Sequence, residues 1–272
     1  MEHITELIRA RRSVRSFDGK GVSAQERQAL LDFIGTIENP YNIPVSFRLL
    51  DAAEHGLGSK VIVGEALYVG ARVAKVPHGE EAFGYAFEQL VLFAQSLGLG
   101  TTWIGGTMNR SLFEKAMELG DGERMPCVSP LGHPADKMSL RETMMRKSVK
   151  ADERRPFEAL FFDGDFDTPL SQVGAGALRE PLEAVRLAPS AVNWQPWRAV
   201  RTAEGVHFYE RRSKGFVSEA AGDLQKVDLG IALCHFGLTA KENGLPLRFA
   251  LKDPGLPCPP NCEYIASFLW ES

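Results

Sequence analysis

The spacing of apolar residues predicts two long helices, at residues 81–97 and 227–243. In the first of them, Phe83, Phe87 and Leu90 recur at intervals of four and three, which is the period of one face of a helix. Each segment is followed by a Gly-Leu dipeptide, a pattern typical of a helix end. We therefore expect one long helix in each part of the chain.

Shorter elements surround these two helices. Alternating apolar runs predict strands, and periodic segments that follow a Ser-x-x-Glu capping box or stop at a proline predict helices. Helices are predicted at residues 25–36, 109–119 and 178–187, and strands at residues 45–50, 66–74, 125–131, 197–202, 206–209 and 247–251, with a further short strand within 98–106.

The order of these elements repeats along the chain. A helix, a loop containing Asn and Pro, two strands, a long helix and a strand occur once in the first part and again in the second. A polar, Gly-containing segment at residues 163–176 separates the two series. We therefore predict an α+β protein of two related halves, residues 1–162 and 177–272, with residues 163–176 as the connection.

Composition and charge narrow the classes of partner. The 272-residue chain is 44% hydrophobic and 24% charged, and its formal net charge of -4 argues against a general affinity for nucleic acid or for an anionic membrane. The apolar runs are too short to cross a bilayer, and the charged N-terminus does not resemble a secretory signal. We expect a cytoplasmic protein without nucleic-acid or membrane partners.

Four cysteines are too few and too scattered to form a disulfide framework. Cys258 and Cys262 make the one close pair, with two prolines between them. An ordinary turn between strands explains this spacing, and a metal or redox site is the alternative. No second pair or histidine cluster accompanies it, so we expect no metal centre.

A basic cluster near the N-terminus is suited to binding phosphate. Arg11, Arg12 and Arg15 place three guanidinium groups within five positions, with Ser13 between them. A guanidinium group meets an anion with paired hydrogen bonds, and the hydroxyl adds one more donor. The alternative is a solvated basic patch at the end of a short amphipathic helix. Because the chain as a whole is acidic, any anion site must be local.

Three motifs together resemble those of the FMN-dependent nitroreductase family. They are Arg-Arg-Ser-Val-Arg-Ser-Phe at 11–17, Gly-Leu-Gly-Thr-Thr-Trp-Ile-Gly-Gly at 98–106, and Ala-Pro-Ser-Ala-Val-Asn-Trp-Gln-Pro-Trp at 188–197. In ordinary members the first and third motifs lie in one N-terminal region, and FMN lies at the interface of a homodimer. Here the two motifs fall in different halves, which resembles the subgroup in which two halves are fused into a single-chain pseudo-dimer.

That resemblance implies a nitroreductase-like fold with one composite FMN site, and it implies that the second, related position is empty. It also assigns roles to residues of the first half. Arg11 and Ser13 would hold the phosphate of FMN, and Arg12 its ribityl and phosphate region. Arg15 would face the pyrimidine edge of the flavin, where negative charge gathers on reduction. A monomer is compatible with this arrangement, because the family's dimer interface would lie within one chain.

Five further positions correspond to the family's site. The backbone at Ile104 and Gly105 corresponds to the place where family members approach the flavin ring. Pro189, Ser190 and Asn193 would complete the site from the opposite half.

A charged stretch before the connection supplies the last candidate. Arg154 matches a second phosphate ligand of the family. The neighbouring Arg155 in the same role, or a solvated charged face, is the alternative.

The resemblance implies an oxidoreductase in which NAD(P)H reduces FMN and a small electron-poor acceptor, a nitroaromatic or a quinone, takes the electrons. Such chemistry needs positioning more than acid-base side chains, so no catalytic residue is assigned. An FMN-binding or sensing module with little turnover is the first alternative. A pseudo-dimer that has lost the flavin is the second.

Overall fold

The computed structural model describes residues 1–271, which form two α+β halves. The helices of the first half are α1 (Ile4–Ala10), α2 (Ala24–Ile34), α3 (Ala52–His55), α4 (Gly79–Ser96), α5 (Arg110–Ala116) and α6 (Leu140–Ser148). Its strands are β1 (Val45–Asp51), β2 (Leu67–Ala74), β3 (Gly100–Thr101), β4 (Glu123–Arg124) and β5 (Val128–Gly132). They form an antiparallel sheet in the order β1-β2-β5-β3, and β4 also pairs with β2.

The second half has its own sheet. Its helices are α7 (Arg179–Leu187) and α8 (Leu224–Glu242), and its strands are β6 (Phe161–Asp163), β7 (Trp197–Arg201), β8 (Gly205–Arg211), β9 (Val217–Ser218), β10 (Gly222–Asp223), β11 (Leu247–Ala250) and β12 (Cys262–Trp270). The sheet order is β11-β12-β8-β7-β6, with β6 parallel to β7 and the other pairs antiparallel. The strands β9 and β10 form a separate pair.

Helices α4 and α8 pack against each other at the centre of the molecule, and both are buried along most of their length. Two glycines allow their backbones to touch. A Cβ on Gly84 would lie 2.1 Å from the Val227 carbonyl oxygen, and a Cβ on Gly230 would lie 2.1 Å from that of Glu81. Gly84 thus contacts Val227, which lies three positions before Gly230. Gly230 contacts Glu81, which lies three positions before Gly84. The two halves therefore make the same contact in both directions, as two-fold-related units do.

The sequence pattern located the two long helices to within three residues at each end. The capping box before α2 is present, because Ser23 and Glu26 each bond the other's backbone N–H. The nine-residue strand β12 was not predicted. The Cys258–Cys262 segment lies between β11 and β12, as expected for a turn between strands, and Cys262 is the first residue of β12.

The predicted boundary between residues 162 and 163 falls inside β6. All three residues of β6 pair with β7 of the second sheet, so this strand passes from the first series of elements into the other half. The division of the chain into domains stays a prediction.

Two other classes of feature are absent from residues 1–271. None of their helices is long and apolar enough to cross a membrane. Within the same residues, no group of three or more His, Cys, Asp and Glu side chains is placed to hold a metal ion.

Candidate functional site

A cavity of about 420 Å³ lies between the two halves, within the range of about 300–1,000 Å³ that is usual for small-molecule sites. The first half contributes the arginine motif, the loop after β3 and the segment that follows α6. The second half contributes the loop after α7, and the N-terminal part of α8. Both halves are therefore needed to close it.

The arginine motif enters the cavity as an extended segment after α1. Val14 N–H donates to Thr101 O (2.8 Å) and Phe17 N–H to Val63 O (2.8 Å), so the segment runs along the edge of the first sheet. Because successive side chains of extended backbone point to opposite sides, Arg11 is buried while Arg12 is exposed.

Arg11 lies at the inner end of the cavity beside a buried polar network. Its Nε is 3.9 Å from Glu88 Oε1, too far for a hydrogen bond. Glu88 instead accepts from Trp103 Nε1 (3.0 Å) and lies 2.9 Å from His235 Nε2, and His235 Nδ1 donates to Ala184 O (2.9 Å). This network joins α4 to α8, and it leaves Nε and Nη1 of Arg11 without a hydrogen-bond partner in residues 1–271.

Five arginines line the cavity, at positions 11, 12, 15, 146 and 154, and Arg146 forms an ion pair with Asp152. Burial lowers the pKa of Arg11, and the nearby Arg146 lowers it further, against the effect of Glu88. Burial followed by the positive charge of Arg11 lowers the pKa of Arg154 to about 10. Arg15 is half-buried, and its pKa is lowered mainly by burial. Within residues 1–271, Arg15 Nη1 and Arg154 Nε also have no hydrogen-bond partner.

The loop after β3 contributes backbone groups to the cavity wall. The backbone of Ile104 is occupied, since its N–H donates to Val128 O (2.9 Å) and its carbonyl accepts from Val128 N–H (3.0 Å). The Gly105 carbonyl accepts from Arg110 Nη2 (2.9 Å). By contrast, the Gly105 N–H makes no hydrogen bond with any described residue. The buried Thr102 Oγ1, on the same wall, is also unpartnered among them.

The loop from the second half is held in a strained conformation. Val192, Asn193 and Gln195 have φ values of 45°, 58° and 55°, a region that residues other than glycine seldom adopt. Ser190 Oγ accepts from Gln195 N–H (2.9 Å), and Asn193 Nδ2 donates to Lys150 O (2.7 Å) and to a second carbonyl oxygen. The conformation is thus maintained by side chains of the motif itself.

The side chains of Gln195 and Asn193 also tie this loop to the segment that carries Arg154. Gln195 Oε1 accepts from Arg155 N–H (2.9 Å), and Asn193 Oδ1 accepts from Arg154 Nη1 (3.4 Å). The Asn193 carboxamide therefore positions Arg154 and the loop, while Ser190 and Pro189 form the adjoining wall.

Asp228 lies in the second turn of α8, and its buried carboxyl group forms part of the cavity wall. Both of its oxygens accept from the Ala191 N–H (3.0 and 3.1 Å), and no described cation forms an ion pair with it. Burial raises its pKa well above the usual value, and the negative charges of Asp223 and Glu210 add to the increase. Burial therefore disfavours the charged form of this carboxyl group.

Sequence comparison decides which family the chain represents. The family model described as "Putative TM nitroreductase" matches residues 3–240, most of the chain. The chain belongs to this nitroreductase family. A comparison with curated proteins found no match.

Solved structures place this nitroreductase-family chain in a known fold. The crystal structure of a "putative nitroreductase" from Thermotoga maritima matches with a TM-score of 0.61 and 22% identity, and the match covers 98% of this chain and 93% of the other. A nitroreductase family protein from Clostridium novyi (20% identity, TM-score 0.43) covers 50% of this chain and 87% of its own. A nitroreductase with bound FMN from Bacteroides fragilis (18%, 0.42) covers 52% and 92%. The first likeness confirms the predicted α+β, nitroreductase-like fold.

All ten site residues predicted for this nitroreductase-family chain line the one cavity. Their roles toward a cofactor stay predictions. Sequence reasoning missed Thr102, Arg146, Phe216, Leu224 and Asp228, which also line it. Arg146 was included in a charged stretch of ambiguous character, and nothing local to the sequence marks a lone aspartate within an apolar helix as a cavity residue.

Replacing Asp228 with asparagine should change how stability depends on pH. The folded-state pKa lies above the unfolded value of about 3.9, so the native state binds the extra proton between these values and wild-type stability falls as pH rises through that window. The asparagine variant retains an acceptor for the Ala191 N–H but cannot ionise, so its stability relative to wild type should increase with pH.

Urea denaturation of the cofactor-free protein at pH 5 and pH 8 measures this difference. The matched control is Asp136→Asn, because Asp136 is exposed. A stability difference between wild type and the Asp228 variant that stays the same at both pH values would show that the buried carboxyl does not titrate in this range.

Proposed function

We propose that the chain is an FMN-dependent oxidoreductase, with FMN bound in the cavity between the two halves. The observation that carries the proposal is the group of unpartnered guanidinium nitrogens on Arg11, Arg15 and Arg154 in that cavity. Buried unpaired donors are costly, and charged ones especially so. An anionic ligand with several acceptor oxygens relieves that cost, and the phosphate of FMN is such a ligand.

The residues present fit the two ends of FMN. Arg11, Ser13 and Arg154 suit the phosphate of FMN. Arg12, which is exposed at the mouth of the cavity, suits the ribityl region. Arg15 offers a cation to the pyrimidine edge, where it would favour the negative charge that reduction brings. The Gly105 N–H and Thr102 Oγ1 provide free donors for the ring's polar atoms.

Part of the remaining lining is apolar and suits a flat aromatic ring. Trp103, Leu224 and Val227 lie on this surface together with Ile231 and Phe216. Their contribution is to exclude water and to hold the ring in one plane.

When bound, FMN supplies hydride and electron transfer between NAD(P)H and an electron-poor acceptor such as a nitroaromatic or a quinone. The chain's own residues bind, orient and shield. Arg15 stabilises charge at one edge, and the strained loop at 191–195 keeps Pro189 and Ser190 against the cavity. The Asp228 carboxyl group accepts from the Ala191 backbone N–H and so holds the start of this loop. This division of labour explains why no side chain is assigned as a catalytic residue.

We expect FMN titration to saturate at one equivalent per chain. In the two-fold relation set by Gly84 and Gly230, Ala82 occupies the position that corresponds to Asp228, and the second half has no arginine motif. Isothermal titration calorimetry gives the stoichiometry directly. Saturation at two equivalents would overturn the divided site. Because both partners of the interface lie in one chain, we also expect a monomer in solution.

Anaerobic titration with NADH and NADPH separates the enzyme from its alternatives. The loss of the flavin's yellow absorbance on addition of either nucleotide supports the oxidoreductase, particularly if a quinone restores the colour. Flavin that is bound but bleached only by dithionite would indicate a binding or sensing module. A protein that takes up no FMN would refute both.

A further inference from the structure

A second pocket lies on the outer side of the wall that encloses the cavity. It has a volume of about 270 Å³, and its lining is basic. The pocket is lined by Arg155, Trp194, Gln195, Pro196, Arg198, Arg211, Arg212, Ser213 and Asn261. Its four arginines come from the segment before β6, from β7, and from the end of β8 and the loop beyond it.

Among the four arginines of the pocket, Arg198 is the buried one, with 5% of its surface exposed. Its Nη1 donates to Gln195 O (3.1 Å) and Trp197 O (2.5 Å), which fixes the guanidinium at the base of the loop. Burial, followed by the positive charges of Arg155 and Arg211, lowers its pKa to about 10. Burial and the neighbouring positive charges make the charged form of this guanidinium group costly. A bound anion would reduce that cost, so the group is suited to binding one.

The charge of the pocket is not balanced by the protein. Arg212 pairs with Glu263 (3.0 Å) and lies 3.6 Å from Asp223. Within residues 1–271, neither Arg155, Arg198 nor Arg211 forms an ion pair with a carboxylate. Three uncompensated guanidinium groups around one concave surface suit a ligand with more than one negative charge.

The pocket and the cavity share a thin wall. Arg154 and Asn193 line the cavity. Their neighbours in sequence, Arg155 and Trp194, line the pocket. The Trp194 ring, 41% exposed, lies with its centroid 5.9 Å from that of the cavity residue Phe216. A ligand that extends out of the cavity across this rim would therefore reach a flat aromatic surface and then the arginines.

We propose that this pocket binds the adenosine end of NADPH through its 2′-phosphate, so that the chain uses NADPH in preference to NADH. The proposal rests on the proposed function, in which a nicotinamide dinucleotide reaches the cavity. A 2′-phosphate monoester is a dianion with three acceptor oxygens, which matches the arginine forks, and arginine is a general solution for this group. NADH carries a hydroxyl at that position and offers no such charge.

The binding experiment compares adenosine 2′,5′-bisphosphate with adenosine 5′-monophosphate on the full chain in the presence of FMN, by isothermal titration calorimetry. A hydrogen bond to a charged group contributes about 1.5–3 kcal/mol, and 1.4 kcal/mol is tenfold in affinity, so the bisphosphate should bind about 10- to 100-fold more tightly. The ratio of kcat/KM for NADPH to that for NADH should favour NADPH to a similar degree.

Arg211→Gln is the informative variant, because Arg211 is exposed at the end of β8 and its loss should not disturb folding. We expect about tenfold weaker binding of the bisphosphate, with unchanged affinity for the monophosphate and for FMN. Arg248→Gln removes an exposed arginine of β11, at the opposite edge of the same sheet, and should change none of these. Arg198→Met should give a larger loss than Arg211→Gln if it folds.

Each outcome decides the proposal. Equal affinity for the two nucleotides, or a preference that Arg211→Gln leaves intact, would overturn it. Inorganic phosphate that binds in an Arg211-dependent way while the bisphosphate binds no more tightly would indicate a free-phosphate site and would also overturn it. Arg211-dependent bisphosphate binding by a chain whose bound flavin neither NADPH nor NADH reduces would support the pocket while refuting the oxidoreductase, so the two failures are distinguishable.

Discussion

Replacing Arg11 with alanine is expected to weaken FMN binding about 30- to 4,000-fold, because truncating one partner of a buried charged hydrogen bond costs about 2–5 kcal/mol and each 1.4 kcal/mol is a factor of ten. Arg11 is buried, and two of its nitrogens have no partner in residues 1–271. The dissociation constant can be measured by the quenching of FMN fluorescence.

The fold should survive this substitution. Glu88 keeps Trp103 and His235 as hydrogen-bond partners when Arg11 is removed, so the carboxylate is not left unpaired. Circular dichroism before titration verifies that the variant is folded.

The matched control is Arg141→Ala, which removes an exposed arginine of α6. This variant should bind FMN as wild type does. Equal losses in the two variants would mean that general positive charge, rather than the buried guanidinium, attracts FMN. Arg11→Lys should give an intermediate affinity, because an ammonium keeps the charge without the planar fork.

Replacing Gly230 with alanine is expected to be strongly destabilising, although alanine is the better helix former by about 1 kcal/mol. The added methyl would lie 2.1 Å from the Glu81 carbonyl oxygen and 2.8 Å from the Tyr85 backbone nitrogen. Backbone cannot rotate away as a side chain can, so α4 and α8 must separate. Overpacking of this kind costs about 1–3 kcal/mol or more, and each kcal/mol lowers Tm by about 2–4 °C in a chain of this size.

Gly237→Ala in the same helix is the control. Its methyl would meet the Tyr85 hydroxyl (3.1 Å) and the Phe268 ring edge (3.2 Å), and these are side-chain ends that can shift. Thermal unfolding of cofactor-free protein should show the larger loss for Gly230→Ala. Since α8 also forms part of the cavity wall, its displacement should weaken FMN binding as well. A Gly230→Ala variant as stable as Gly237→Ala would disprove a tight helix contact between the halves.

The elements that could be predicted are those with strong local signals. Helices α4 and α8 follow from periodic apolar residues, and α2 from its capping box. The strand β12 was missed because prolines before it read as loop, and its burial is decided by its neighbours β8 and β11. The three-residue strand β6 has no local signal of its own, since its pairing with β7 joins residues about 40 positions apart in sequence.

The candidate site also contains residues that the sequence could predict and residues that only the tertiary structure reveals. The three motifs contained nine of the ten predicted residues that line one cavity, and Arg154 came from the charged stretch. A motif marks residue types that are needed together at one place. Asp228 was missed, since an aspartate within an apolar helix is recognisable as a cavity residue only once its helix packs beside the loop at 191–193. The choice between Arg154 and Arg155 was open in the sequence, and the structure places them in two different pockets.

By itself, the sequence determined the class of the protein, the order of its elements, the repetition of that order in two halves, and the motifs from which a phosphate-binding cavity could be expected. These properties are local, because they depend on spacing along the chain. Only the tertiary structure decided that the arginine motif meets the second half's loop across one cavity, that Gly84 and Gly230 hold the halves in contact, and that four further arginines share an outer pocket. Those properties arise from side chains far apart in sequence, whose burial and charge environment exist only after the two halves pack together.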